Sequence, residues 1–314
     1  MWNLLRKFKK HLAKSILTSM VFGLIFGYFF DSKSLNVLIT PLTFLMVFPM
    51  MVNLNYKELL NKGNGKLIVT SQGINFILIP FIAFLIGSLF FKDQPMIFVG
   101  FMLMSVLPTS GMTISWTGFA KGNVHAAIKI TIVALLLGAL IAPFILKIYL
   151  GTTVSIPIFK IIRQILIVVL IPMIAGSTFR HIMINNIGTE KYNNEWKMRF
   201  PLLSSLGVIG IIFVATALKA KTIINNPSII LLLIVPIILF YVVNFSITTI
   251  IGRLFFSLED AIALVYGTVM RNLSVALAIA MTAFPSEGSN IALIIAVAYI
   301  FQVQMAAWYI KLVK

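Results

Sequence analysis

The sequence predicts an all-α polytopic membrane protein, and three observations carry that expectation. The chain is 60% hydrophobic and 11% charged, where a soluble domain is typically about 25% charged. Its mean hydropathy is +1.04. Apolar runs of about 20 residues recur from end to end, each long enough to cross a hydrocarbon core of roughly 30 Å.

Ten spans follow in order. The first, 14–30, comes after the basic start MWNLLRKFKKHLAK. It is long and lacks a small-x-small cleavage site, so it reads as a retained helix rather than a signal peptide. A polar DSK from Asp31 separates it from span two, 35–54, and NKGNG from Asn61 separates that from span three, 66–90. FKDQP from Phe91 leads into span four, 95–119, and span five covers 123–146. After GTT from Gly151 come span six, 157–180, then a long polar connection over 180–199, then span seven, 200–219. NNP from Asn225 and PSEG from Pro285 bound spans eight (227–251), nine (259–284) and ten (289–312). No soluble domain is expected.

The net charge of +17 is explained by basic cytoplasmic loops and anionic headgroups, not by nucleic acid. With the N-terminus inside, the inner loops carry sixteen Lys and Arg and the outer loops seven. Both termini are therefore expected in the cytoplasm of a cell-membrane protein. The absence of cysteine excludes disulfides and thiolate metal sites. No cofactor is expected, and the partners are the lipid bilayer and a small solute; the sequence does not specify an oligomeric state.

Five spans precede Gly151 and five follow, which divides the chain into halves 1–150 and 151–314. An odd number per half makes a duplicated half insert upside down. Asn75-Phe76 in span three is echoed by Asn244-Phe245 in span eight. PTSG from Pro108 interrupts span four, and GTVMRN from Gly267 interrupts span nine at similar depth. Interrupted helices at matching places in inverted halves point to a transporter's midplane site.

Two stretches carry the chemistry. In LPTSGMTISWTGFAKGN, 107–123, Pro108 lacks an N–H and Gly111 tolerates unwound backbone. Thr109, Ser110, Thr113, Ser115 and Thr117 add hydroxyls. The stretch reads either as a proline kink with hydroxyls bonded back to carbonyls or as the lining of a wet cavity. In VMRNLSVALAIA, 269–280, Arg271 lies about 18 Å from the inner edge at 1.5 Å per residue. So deep a charge must face the bundle or water. It is either a binding group, with Met270, Asn272 and Ser274 beside it, or a structural tie to unwound carbonyls of span four, or both. Lys129, about six residues into span five, reaches either the cavity or the headgroups. Thr131 lies on a face that can meet span four. No acid lies deep in a span. The three histidines are far apart at span ends, and no protease-type constellation exists, so an enzyme is not expected.

The run 107–131 together with 266–280 resembles the bile acid:sodium symporter superfamily, which includes the arsenite permeases. PLTFLMVFPMMVNLNYKEL (41–59) is close to the second-helix motif of the arsenite branch. PTSGMTISWTGFAKGN (108–123) resembles the fourth-helix signature of both branches, and MRNLSVALAIA (270–280) resembles the ninth. The resemblance implies ten helices in two inverted five-helix repeats, with helices four and nine discontinuous and crossing. A core of spans 3–5 and 8–10 would move against a panel of spans 1, 2, 6 and 7.

The departures from the family pattern concern sodium. The serine-asparagine pair of the fourth helix is replaced by Thr113 and Ile114, and the serine-threonine pair of the fifth by Ala127 and Thr131. Gly267 stands in place of a glutamate shared by both sodium sites. Arg271 stands for the glutamine before Asn272, and Asn75 for the third-helix glutamine. Intact sodium sites are therefore not expected, whereas a proton is an available coupling ion. The expected function is secondary active transport of a small organic anion by alternating access, with Asn75, Thr109, Ser110, Thr113, Lys129, Thr131, Met270, Arg271, Asn272 and Ser274 as candidate solute or ion contacts and no metal site. The alternative is arsenite or antimonite efflux, weakened because Thr109 replaces that branch's cysteine and no soft thiol is present.

Overall fold

A computed structural model describes residues 11–60, 63–151, 158–225, 227–284 and 286–313. The basic N-terminal stretch, the connection at Asn61 and Lys62, and most of the expected loop after Gly151 lie outside the described residues. Among the described residues the chain is helical, without strands.

Helices α1 (Leu12–Phe29) and α2 (Ile39–Val52) are followed by α3 (Gly65–Phe90), which has a π-turn at Ile74–Leu78. Then come α4 (Pro95–Val106), α5 (Gly111–Phe119) and the long α6 (Val124–Leu150). The second half of the chain holds α7 (Phe159–Ile187), α8 (Thr189–Leu218), the short α9 (Ala220–Asn225) and α10 (Ser228–Phe255). It ends with α11 (Leu258–Val269), α12 (Leu273–Ala283) and α13 (Gly288–Val313).

Among the described residues seven helices are long and apolar enough to cross a bilayer as continuous rods. The expected spans 14–30, 95–119 and 259–284 correspond instead to shorter apolar helices, Lys14–Phe29, Pro95–Val106 and Leu273–Ala283. The last two are short because the chain unwinds inside those spans.

One sequence expectation is corrected. The polar stretch 180–199 is a helical hairpin and not a loop: α7 runs through to Ile187, and only Gly188, at φ +82°, separates it from α8. Beyond the hydrocarbon, water solvates polar side chains on a helix, so loss of hydropathy did not mean loss of helix. Tyr192 and Phe200 of this extension bury against Val52 of α2.

Packing divides the helices into two groups. In one, α1 and α2 pack on α8, and α7 packs on α2. Contact is close enough that a Cβ on Gly27 of α1 would run into the Ala217 backbone of α8. In the other, α10 packs on α11, α12 on α13, α4 on α13, and α6 on α4, α5 and α11. The interior of this second group is almost wholly buried, including every residue from Ala261 to Met281.

Candidate functional site

The two interruptions meet. Pro108 biases the residue before it away from helix, and Leu107 is extended at φ −98°, ψ 91°. Thr109 then adopts φ +46°, a left-handed conformation unusual for a β-branched residue. Ser110 restarts the helix as N-cap of α5, its hydroxyl accepting from the Met112 amide at 3.2 Å. In the second half, Met270 is extended and Asn272 caps α12 by accepting from the Val275 amide at 3.2 Å. The unwound segments form an antiparallel bridge between Pro108 and Arg271. The Asn272 amide donates to the Leu107 carbonyl at 2.9 Å.

Each interruption frees carbonyls at the end of a half-helix, and in hydrocarbon these need donors. Arg271 supplies most of them. Its Nη1 donates to Asn75 Oδ1 at 2.6 Å and to the Thr268 carbonyl at 2.8 Å. Its Nη2 donates to the Ser105 carbonyl, and its Nε to the Met104 carbonyl at 3.4 Å. Four of the five guanidinium N–H groups are thus directed at protein acceptors, and the side chain is fully buried. The remaining carbonyls of α11 are met from elsewhere. Asn75 Nδ2 donates to the Gly267 carbonyl at 3.1 Å, and Thr113 Oγ1 to the Tyr266 carbonyl at 3.2 Å. The guanidinium therefore sits at the C-terminal ends of α4 and α11 together, where both helix dipoles are negative. Among the described residues no carboxylate reaches it.

The other candidate residues divide into two sets. Thr109, Thr113, Met270, Asn272 and Asn75 gather at the crossing, and all are buried. Thr131 joins them through its carbonyl, which accepts from Thr109 Oγ1 at 3.4 Å, while its own hydroxyl bonds back to Ala127 at 2.7 Å. Ser274 turns to α13, sharing a hydrogen bond with the Tyr299 hydroxyl. Lys129 is not brought to the crossing. It lies about 200° around α6 from Thr131, is 3% exposed, and donates to the Gly63 carbonyl at 3.4 Å in the connection before α3. Its stem bends to that loop carbonyl.

Residues that sequence reasoning missed hold the other edge of the unwound strand. Gln302 of α13, 1% exposed, accepts from the Arg271 amide at 2.8 Å through Oε1 and donates to the Arg271 carbonyl at 3.2 Å through Nε2. Tyr241 of α10 donates its hydroxyl to the same Oε1 at 3.0 Å. The available signal was a glutamine inside an apolar span.

Beside the crossing lies a small, partly open cavity of about 10 Å³, lined by Pro108, Ala134, Gly138, Val169, Asn272 and Val275. It holds about one water. Val169 belongs to α7, so the cavity sits at the seam between the two helix groups. Among the described residues Asn272 Nδ2 has no hydrogen-bond partner, although the residue is 1% exposed. A larger cavity, about 290 Å³, opens on the same seam near the starts of α4 and α13, with Lys219, Thr222 and Asn290 on its wall.

A family model described as Sodium Bile acid symporter family matches residues 40–226. The match includes the first interruption and stops before the second. An Arsenical-resistance protein Acr3 of Alkaliphilus metalliredigens is 23% identical over 220 residues, which is 66% of this chain. The chain spans 61% of that relative's length. The Uncharacterized protein YbaS of Bacillus subtilis is 25% identical over 295 residues, 93% of each chain. An Arsenical-resistance protein Acr3 of Corynebacterium glutamicum is 24% identical over 270 residues, 78% of this chain and 72% of its own.

Proposed function

This chain belongs to the sodium bile acid symporter family, and on that premise we propose that it moves a small organic anion by alternating access without coupled sodium. The observation that carries the proposal is Arg271, which donates to the carbonyl ends of both half-helices and to Asn75 Oδ1. The resemblance puts sodium-binding glutamines at positions 271 and 75. A tethered cation thus fills the role of a dissociable one. Gly267, at the position of the shared glutamate, cannot accept a larger side chain in place: a Cβ there would lie 2.8 Å from Ile130 Cγ2.

The preference for an anion rests on field rather than on direct contact, because the guanidinium is already bonded to protein. At an effective dielectric of about 20, an anion roughly 8 Å away still gains about 2 kcal/mol before desolvation. The starts of α5 and α12 add their positive ends at the crossing. The free Nδ2 of Asn272 is the donor we assign to the solute, and Thr109 and Ser110 follow Pro108 in the segment paired with it. Since the cavity holds about one water, loading requires the two helix groups to part. In this reading spans 1–5 and 6–10 are inverted repeats, residues 1–150 and 151–314, with ten membrane segments and both termini in the cytoplasm of the cell membrane. Uniport, exchange or proton linkage remain as coupling modes.

The second reading is efflux of arsenite or antimonite, favoured by relatives that are named as arsenical-resistance proteins. The chemistry weighs against it, since the chain has no cysteine and As(III) prefers soft thiolates. A thermal-shift and proteoliposome screen against carboxylates, sulfonated sterols, keto acids and arsenite, with sodium and with choline, decides. We expect an organic anion to stabilise and to be taken up equally in both salts. Uptake that collapses without sodium overturns the coupling; a response to arsenite alone overturns the solute.

A further inference from the structure

We propose that Gln302 is a positioning residue for the unwound strand 270–272, acting as a substitute for a neighbouring β-strand and so aiming Arg271 and the free amide of Asn272. The inference rests on the reading of the crossing as the solute site. It is tested by measurements that need no solute.

An extended segment has two hydrogen-bonding edges. At 270–272 one edge meets the other interruption, where the Asn272 amide donates to Leu107. The opposite edge faces α13, a helix, whose own backbone groups are already paired within it. The Gln302 carboxamide supplies what a strand would supply: an acceptor at 2.8 Å for the Arg271 N–H and a donor at 3.2 Å for the Arg271 carbonyl. The pair has a direction, because a flipped amide would set NH₂ against N–H. Tyr241 completes Oε1 with a second donor at 3.0 Å. With both edges held, the Arg271 side chain reaches the ends of α4 and α11 and Asn75, and Asn272, one residue on, stays on the cavity lining. Without Gln302, the amide and carbonyl of Arg271 and the Tyr241 hydroxyl lose their partner together in a water-poor interior, and the strand shifts to find others.

The cysteine-free sequence makes the test clean. Val275→Cys places one thiol on the cavity wall, in the turn capped by Asn272. Its modification rate by N-ethylmaleimide is measured in membranes, each rate divided by that of the Gln302 parent at the same pH. Gln302→Leu should raise the rate at least fivefold. Gln302→Glu reproduces the acceptor–donor pair only when protonated; the ionised form sets a second acceptor against the Arg271 carbonyl. Arg271 and Tyr241 are the charged and titratable groups that face this position. The Glu variant should therefore match the parent at pH 5 and the Leu variant at pH 8. Gln304→Leu, at an exposed position two residues on, should leave the rate unchanged. Parent-like rates for both Gln302 variants at both pH values overturn the inference, as does an equal rise from Gln304→Leu. If Gln302→Leu does not fold, the pH ratio of the Glu variant decides alone, and a ratio near one overturns the proposal. A protein that transports none of the screened anions but gives these rates retains the positioning role and loses only the solute reading.

Discussion

Replacing Arg271 with glutamine restores the residue type that the family pattern places there, and it removes the tethered charge. The change leaves the Met104, Ser105 and Thr268 carbonyls and Asn75 Oδ1 without the donors they have now. Hydrogen bonds to a charged group are each worth about 1.5–3 kcal/mol. Four of them bound the loss at roughly 6–12 kcal/mol. Relaxation of the half-helix ends and new bonds from the glutamine amide recover about half of this, which leaves an expected loss of about 3–6 kcal/mol, the worth of two such bonds. In choline the apparent Tm should fall by about 6–15 °C. The four vacated oxygens then present an oxygen-lined site of the kind sodium prefers. A site with Kd of about 10 mM would recover roughly 1.6 kcal/mol in 150 mM sodium. Differential scanning fluorimetry of purified protein in sodium, potassium and choline reads both effects, with the parent indifferent to the cation. A variant that melts with the parent in choline, or that recovers no more in sodium than in potassium, would refute the idea that guanidinium and sodium are interchangeable here.

Other outcomes follow from the same geometry. Gly267→Glu should lower the Tm, since overpacking against Ile130 costs about 1–3 kcal/mol, and adding Ile130→Ala should recover part of the loss. Asn272→Ser keeps a good N-cap residue for α12 but removes Nδ2, so melting should stay within about 1 kcal/mol of the parent while uptake of the screened anion falls at least tenfold. Thr109→Gly relieves φ +46° and should melt at or above the parent temperature, whereas Thr109→Val keeps the conformation, loses the bond to Thr131 and should melt lower. Outside the spans, burial pushes the Tyr56 phenol up. The unfolded phenol loses its proton first, so stability should be flat through neutral pH and decline above about pH 10; a Tyr56→Phe variant should show a shallower decline.

The helical, membrane-spanning character and the two interruptions were legible in the sequence because hydrocarbon imposes strict demands. Long apolar runs announced helices, and Pro108 and Arg271 could be tolerated in such runs only where the backbone opened. Whether Arg271 bonded to carbonyls or faced a cavity depended on side-chain direction, which spacing does not encode. Gln302 stayed hidden for a related reason. Gln304 lies two residues away in the same apolar span, about 200° around the helix, and only packing against α10 distinguishes the inward glutamine from the exposed one. Lys129 was ambiguous until the rotation of α6 was known. The hairpin over 180–199 was misjudged because polarity reports where the membrane ends, not where a helix ends.

A positive charge bonded to the chain cannot travel down a gradient. In the uniport reading, the membrane voltage then acts on the passenger's own charge. For a singly charged anion that amounts to about 2.3 kcal/mol per 100 mV, roughly fifty-fold at equilibrium. With the cell interior negative, that voltage favours outward movement of the anion under the uniport reading.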